Sequence, residues 1–288
     1  MALLPEWPQA LDAATLADPA ARVPFVLAGR EVGSVARAAL DALRDAAGAE
    51  ALVIAADRVG CDAACGPELD AVLDRLHRRL RAGGWIRAWR DETVALVDPV
   101  SLAPLARIER AAARFWGTLT FGAHANGYVA GADGRPAALW IARRAATKAI
   151  DPGRLDNLVG GGVPAGQSPE ETLVREAGEE AGLEPIEVAG ARPAGVLRLA
   201  RDIPEGFQHE WLHGFDLELP AGREPRNRDG EVAGFERVAV AEAAALAAGG
   251  EMTVDAALVT LDFLWRHRII DDRDIGVRIG ALRVVRRR

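Results

Sequence analysis

Between Glu68 and Ala82 the apolar residues Leu69, Val72, Leu73, Leu76 and Leu80 recur at intervals of three and four, the spacing of one helix face, and Gly83-Gly84 ends the pattern. His77 lies beside that stripe and is expected to be a packed or surface histidine, not a ligand. Upstream, Val23 to Val35 alternates around Gly29 and predicts two short strands with a turn. Ala36 to Ala46 predicts a helix, the apolar run Ala51 to Ala56 a strand or helix end, and Thr93 to Asp98 a strand. Ile108 to Phe115 predicts a short helix leading into a second unit. There Thr118 to Thr120 and Gly127 to Ala130 are strand-like, Asp133-Gly134 signals a hairpin turn, and AALWIARR is the returning strand. A turn-rich loop follows, AATKAIDPGRLDNLVGGG. Gly195 to Leu199, Trp211 to Leu219 and Val232 to Val240 predict strands; Ala241 to Ala248 and Val254 to His267 predict helices. The pattern divides into a small α+β unit over residues 1–110 and a second unit mixing strands and helices over residues 111–288, without internal repeats.

Composition narrows the class. At 288 residues and 50% hydrophobic content, two domains with sizeable cores are expected. A net charge of −7 and a pI near 5.4 weigh against general binding of nucleic acid or a membrane surface, which favours basic chains. The basic run Arg286, Arg287, Arg288 reads as a solvated tail. Cys61 and Cys65 stand four apart, but no further Cys or His completes a zinc site, so reduced cytosolic thiols are expected. The start, MALLPEWPQA, has no basic flank and no long apolar stretch, which argues against a typical signal peptide, and no apolar run is long enough for a bilayer. A cytoplasmic protein is expected, with a homodimer left open.

The stretch GGGVPAGQSPEETLVREAGEEAGL, Gly160 to Leu183, carries the chemistry. Ser168, Pro169, Glu170 and Glu171 form a helix start: a serine cap, proline in the first position, acids in the first turn, and a capping-box glutamate at Glu171. Gly182 ends the helix. Helix chemistry therefore explains Glu170 and Glu171. It does not explain Glu176, Glu179 and Glu180, whose spacing puts three carboxylates on one face. They repel unless solvated or joined by a cation, and hard divalent ions take oxygen ligands of this kind. Arg175 precedes Glu179 by four residues and can hold a carboxylate in place. Gly160 to Gly162 allow close approach of backbone to a metal or phosphate.

These residues resemble the Nudix box: glycine, five residues, glutamate, seven residues, then Arg-Glu-apolar-x-Glu-Glu-x-Gly-apolar. Gly161 opens the match, and Arg175, Glu176, Ala177, Gly178, Glu179, Glu180, Ala181, Gly182 and Leu183 keep every later spacing. Gln167 stands where the pattern has glutamate, which removes one charge. The resemblance implies an α/β fold, a Nudix α/β/α sandwich with a mixed sheet, preceded by the small α+β domain. It implies hydrolysis of a nucleoside diphosphate derivative or similar organic diphosphate. Glu176, Glu179, Glu180 and Gly161 would hold Mg²⁺ or Mn²⁺, with Arg175 orienting the carboxylates. The general base varies in position across the family; Glu231, in the loop before a late strand, is the candidate and Glu236 the runner-up.

The flanks FGAHANGYV, LWIARRAATKAIDPGRLDNLVGGG, DLELP, DGEV and TLDFLWRH are similar to one Nudix branch, fused in fungi to thiamine pyrophosphokinase and free-standing in plants and bacteria. That branch carries an extra N-terminal domain of poorly defined role and acts on oxidised thiamine diphosphates. The resemblance implies damaged (oxo- or oxy-) thiamine diphosphate as substrate and the monophosphate as product. Arg143, Arg144 and Lys148 are candidate diphosphate contacts, and His124 and Asn126 candidate pocket residues. Trp140 and Trp211 are aromatic surfaces more readily explained by packing, and His209 and Glu210 read as surface positions on an alternating strand. Two other readings stay open: a nucleotide sugar or other nucleoside diphosphate derivative as substrate, and a catalytically silent domain that senses a ligand.

Overall fold

A computed structural model describes residues 4, 6–48, 52–61 and 66–285; Ala51, Cys65 and the Arg286, Arg287, Arg288 run lie outside the described residues. A short helix, α1 (Gln9–Ala13), precedes the hairpin of β1 (Arg22–Leu27) and β2 (Arg30–Ala36). Ala28 and Gly29 both take positive φ, 46° and 74°, which matches the turn to the right-handed twist of the strands. Helix α2 (Leu40–Ala47), β3 (Leu52–Ile54) and β4 (Val59–Cys61) follow, and β4 pairs parallel with β1, giving the sheet order β2-β1-β4-β3. Cys61 ends β4 as a buried free thiol. The expected amphipathic helix is α3 (Pro67–Ala82), with Leu69, Leu73, Leu76 and Leu80 buried. His77 is also buried, accepting a 2.7 Å hydrogen bond from Trp116 Nε1. Burial pushes its pKa down to about 3, so it packs as a neutral acceptor. The hairpin β5 (Thr93–Val97) and β6 (Pro104–Glu109) and the helix α4 (Arg110–Trp116) complete a core that runs from Val23 to Trp116.

Gly117, at φ 57°, turns the chain out of α4 into β7 (Leu119–Ala130). The two strand segments expected here are one continuous strand. Gly127 is not a turn but a close approach: a Cβ there would lie 2.3 Å from Leu158 Cδ2. Then come β8 (Pro136–Arg144), β9 (Leu155–Asp156), β10 (Val159–Gly162), α5 (Pro169–Glu180) and α6 (Pro185–Val188). The strands β11 (Arg192–Ile203) and β12 (Gly206–Glu218) form a long hairpin, extending the two shorter strands expected. The chain ends with β13 (Val232–Ala239), α7 (Val240–Ala248), α8 (Val254–Arg266) and α9 (Arg273–Leu282); the last has no counterpart in the sequence expectations.

Seven strands make one mixed sheet, β11-β12-β7-β8-β13, with β10 on β7 and β9 on β8; β12 and β7 run parallel. Helices α5 and α6 and the link between them cover one face through Leu173, Ala177, Leu183 and Val188. Helices α1, α7, α8 and α9 cover the other through Leu11, Ala244, Leu261, Phe263 and Ile279. This is the expected α/β/α sandwich. No described helix is long and apolar enough to cross a membrane.

Candidate active site

Helix α5 begins as its sequence dictates. Ser168 Oγ accepts from the Glu171 N–H at 3.1 Å, and the Glu171 carboxylate accepts from the Ser168 N–H at 2.8 Å. Glu170 and Glu171 therefore serve the first turn. Two turns on, Glu176 and Glu180 point inward and are 8% and 6% exposed, while Glu179 faces solvent. Arg175 ties two of the three together, donating to Glu179 Oε2 and Glu176 Oε1, each at 2.8 Å. Gln167 accepts from Thr172 Oγ1 at 3.3 Å and reaches Arg175 Nε at 3.5 Å, so the position that lacks a charge still braces the arginine.

The carboxylates lie against bare backbone. A Cβ on Gly161 would sit 2.2 Å from Glu176 Oε1, a distance no side chain tolerates. The Gly160 N–H donates to Glu180 Oε2 at 3.0 Å. Burial raises the Glu176 pKa, opposed by Arg175 and Arg110. Burial, then the neighbouring Glu176 charge, pushes Glu180 up to about 8, opposed by the Gly160 N–H and Lys148. Two like charges in a dry place, one of them with no hydrogen-bonded cation, favour an added proton or a hard cation. Oxygen-only donors of this kind fit a divalent ion such as Mg²⁺ or Mn²⁺. Among the described residues, however, no three His, Cys, Asp or Glu side chains already converge as a ligand set. Glu179 is the one set apart, held outward by Arg175.

A cavity of about 340 Å³ opens over Gly160, Gly161 and Gly162. That size suits a small molecule. Arg90, Arg110, Arg114, Arg144 and Arg201 stand around it, together with His124 and Glu210. His124 Nδ1 is 3.1 Å from Asn157 Oδ1 and 4.0 Å from Asp156 Oδ1. Arg144 reaches the wall but is engaged, donating to Asp156 Oδ2 at 2.8 Å and to the Ile150 and Asp151 carbonyls. Arg143, its neighbour on β8, is absent from the cavity lining and donates to the Gly153 carbonyl at 3.0 Å. Asn126 also lies outside the lining: it donates to the Val259 carbonyl at 3.1 Å and accepts from Asn157 in a buried network.

Lys148 is ion-paired with Glu231. Burial lowers the Lys148 pKa, with Arg144 and Arg90 acting in the same sense and Glu180 and Asp156 against it. The pair ties the Glu231 loop to the segment after β8, and neither residue is in the cavity lining. Glu236 faces solvent on β13. Glu210 does not behave as a surface position. It lies on the interior strand β12, which has β11 on one side and β7 on the other, and it lines the cavity. The Gln208 amide bridges it, at 3.0 Å, to Asp255, at 3.1 Å. Burial and then Asp255 raise the Glu210 pKa. Trp140 is buried on β8 in the core beside α5, and Trp211 meets Phe121 edge-on at 5.9 Å, so both pack. Arg90, Arg110 and Arg114 were not marked by any motif; the spacing of Arg110 and Arg114 on one helix face is the one signal that could have raised them.

The NUDIX domain family model matches residues 120–256. "Nudix hydrolase 24, chloroplastic" of Arabidopsis thaliana is 36% identical over 219 residues, covering 72% of this chain and 60% of its own length. "Uncharacterized Nudix hydrolase orf19" of Rhodococcus erythropolis is 37% identical over 135 residues, 45% of this chain and 67% of its own. Among solved structures, DR0079 from Deinococcus radiodurans aligns with a TM-score of 0.46 and 26% identity over 59% of this chain and 97% of its own. The chain spans 60% and 45% of the lengths of the two Arabidopsis relatives it matches, the second being "Nudix hydrolase 20, chloroplastic".

Proposed function

This chain belongs to the Nudix family, and from that premise we propose that it is a metal-dependent hydrolase of an organic diphosphate, with damaged thiamine diphosphate as substrate and the monophosphate and phosphate as products. The observation that carries the reading is the pair of buried carboxylates, Glu176 and Glu180, packed against Gly161 and Gly160, whose backbone lines an arginine-rich cavity that the carboxylates themselves do not line. Glu176, Glu180 and Glu179, with Gly161, would hold Mg²⁺ or Mn²⁺. Such an ion supplies positive charge to the diphosphate and acidifies water. Arg175 keeps Glu176 and Glu179 in register along the helix. Glu231 is the base that takes the proton of the attacking water, and its partner Lys148 is the cation that an incoming phosphate would draw away from it.

The thiamine reading comes from the flanking residues that resemble the thiamine branch, and the cavity adds a physical ground. Intact thiamine carries a cationic thiazolium one short linker from its diphosphate. A ring held there sits among guanidinium groups and is repelled, while the neutral carbonyl-bearing ring of oxothiamine is not. Arg143 and Arg144 are not the source of that repulsion, since one lies outside the lining and the other is paired with Asp156. Oxythiamine keeps the thiazolium and changes the pyrimidine, so it separates ring charge from the rest.

The test is hydrolysis of oxothiamine, oxythiamine and thiamine diphosphates, read as released phosphate, and of an ADP-sugar, read as AMP and sugar phosphate, with Mg²⁺ or Mn²⁺ and with chelator. Oxothiamine diphosphate should have the highest kcat/KM, and chelator should abolish turnover. An ADP-sugar preferred by about ten-fold, which is roughly 1.4 kcal/mol of transition-state binding, would replace the thiamine reading with a nucleotide-sugar one. Full turnover without metal would remove the role given to the carboxylates.

A further inference from the structure

We propose that Arg90 and Arg114, from the segment that precedes the family-matched region, form an anion clamp that binds the phosphates of the substrate, so that this preceding segment is part of the active site. The family model begins at residue 120, and both arginines lie before it. Both line the cavity that opens over Gly160 to Gly162. The proposal rests on the reading of that cavity as the substrate site.

The cations of the cavity differ in how far they are compensated. Arg110 donates to Glu92 at 2.9 Å, Arg144 to Asp156 at 2.8 Å, and Arg201 to the Gln208 side chain at 2.9 Å. Arg114 has a looser contact, 3.8 Å from Glu205. Among the described residues, no carboxylate is hydrogen-bonded or ion-paired to the Arg90 guanidinium. Its backbone N–H, not its side chain, is what engages Glu109, at 2.9 Å. The Arg90 side chain is half-buried; burial first, then the like charges of Arg110, Arg114 and Arg144, push its pKa down to about 10, with Glu92 opposing them.

Arginines crowded around a cavity repel one another, and an unpaired one costs desolvation without return. The arrangement becomes favourable when an anion with several oxygens enters, because each guanidinium then gains charge-assisted hydrogen bonds. A diphosphate has that chemistry. Arg110 extends the cation wall toward the acidic helix: a Cβ on Gly162 would lie 2.4 Å from its Nη2, so a phosphate held by Arg90 and Arg114 is delivered beside the glycine strand that meets Glu176 and Glu180.

The experiment is calorimetric titration of inorganic pyrophosphate into the full chain in chelator, where binding reports the arginines and not a metal. Wild type should bind. Arg90→Gln and Arg114→Gln should each weaken binding by about ten-fold or more, as loss of a charged hydrogen bond does. Arg90→Lys should recover part of it. Arg273→Gln, at the exposed start of α9, should not weaken it. In turnover, the two glutamine variants should raise KM while kcat holds. Thermal melts matching wild type show that the variants fold. Pyrophosphate binding that is absent in wild type, or unchanged in both folded glutamine variants, overturns the clamp. If binding depends on the arginines but no diphosphate in the substrate panel is hydrolysed, the clamp stands and the proposed hydrolysis falls.

Discussion

Glu180 shows how one residue records the purpose of its surroundings. A carboxylate raised to about 8 by burial and by Glu176 binds its proton more tightly folded than unfolded. Its contribution to stability is therefore complete below the unfolded value of 4.5 and is lost as pH rises through about 8. The metal-free protein should lose melting temperature across that window. Mg²⁺ or Mn²⁺ should restore it at the alkaline end by taking the place of the proton. Glu180→Gln should flatten both responses. A metal-free melting temperature that rises steadily from pH 5 to pH 8, in wild type and variant alike, contradicts this account. Glu180 was legible in the sequence because three carboxylates at helical spacing have no structural use of their own. Glu210 was not. Strand alternation gives its direction but not that Asp255, from the first turn of α8, is joined to it through the Gln208 amide across the cavity wall.

Helix α5 divides its acids by position. The capping pair and proline serve the start, and two turns later Glu176 and Glu180 turn inward against the glycine strand. Ser168→Ala should cost about 1 kcal/mol of stability, read by urea unfolding, and leave kcat nearly intact, since the cap stabilises the helix and touches no reacting group. Glu179→Gln should instead lower kcat by about 10²–10³-fold with the melt unchanged, while Glu170→Gln should do little. Equal losses for Glu170 and Glu179 variants would erase the division. The cap was readable because its residues are adjacent in sequence. Strand lengths were less so: Thr118 to Thr120 and Gly127 to Ala130 read as separate strand segments, whereas β7 runs through both, and Gly127 is glycine to admit Leu158. The helix α9 gave no expectation at all, and its short apolar set, Ile275, Ile279 and Leu282, finds its partner only in the folded α8 layer.

Across the whole molecule, the first unit and the sheet sandwich share one cavity wall, and Arg22 joins them. It leaves β1 and donates to Ser34 Oγ at 2.8 Å and to the Ser34 carbonyl at 2.6 Å, both on β2. The same guanidinium is 3.4 Å from Asp202 at the tip of β11 and lies 4.8 Å over the Phe207 ring at the start of β12. The turn between β11 and β12 carries Ile203, Pro204 and Glu205, all of which line the cavity, and Glu205 faces Arg114. Arg22 touches nothing in the cavity itself. Its loss should therefore act on binding through the position of that turn and not on the chemistry over Gly161. Arg22→Ala is expected to raise KM several-fold with kcat held, and to lower stability by about 1–3 kcal/mol through the hydrogen bonds and packing removed. Arg22→Lys, which keeps the charge for Asp202 but loses the planar fork, should recover only part of the KM effect. Steady-state kinetics and urea unfolding on the two variants decide it. A fall in kcat at unchanged KM would mean that the junction controls the acidic helix, and that the cavity wall is not what Arg22 sets.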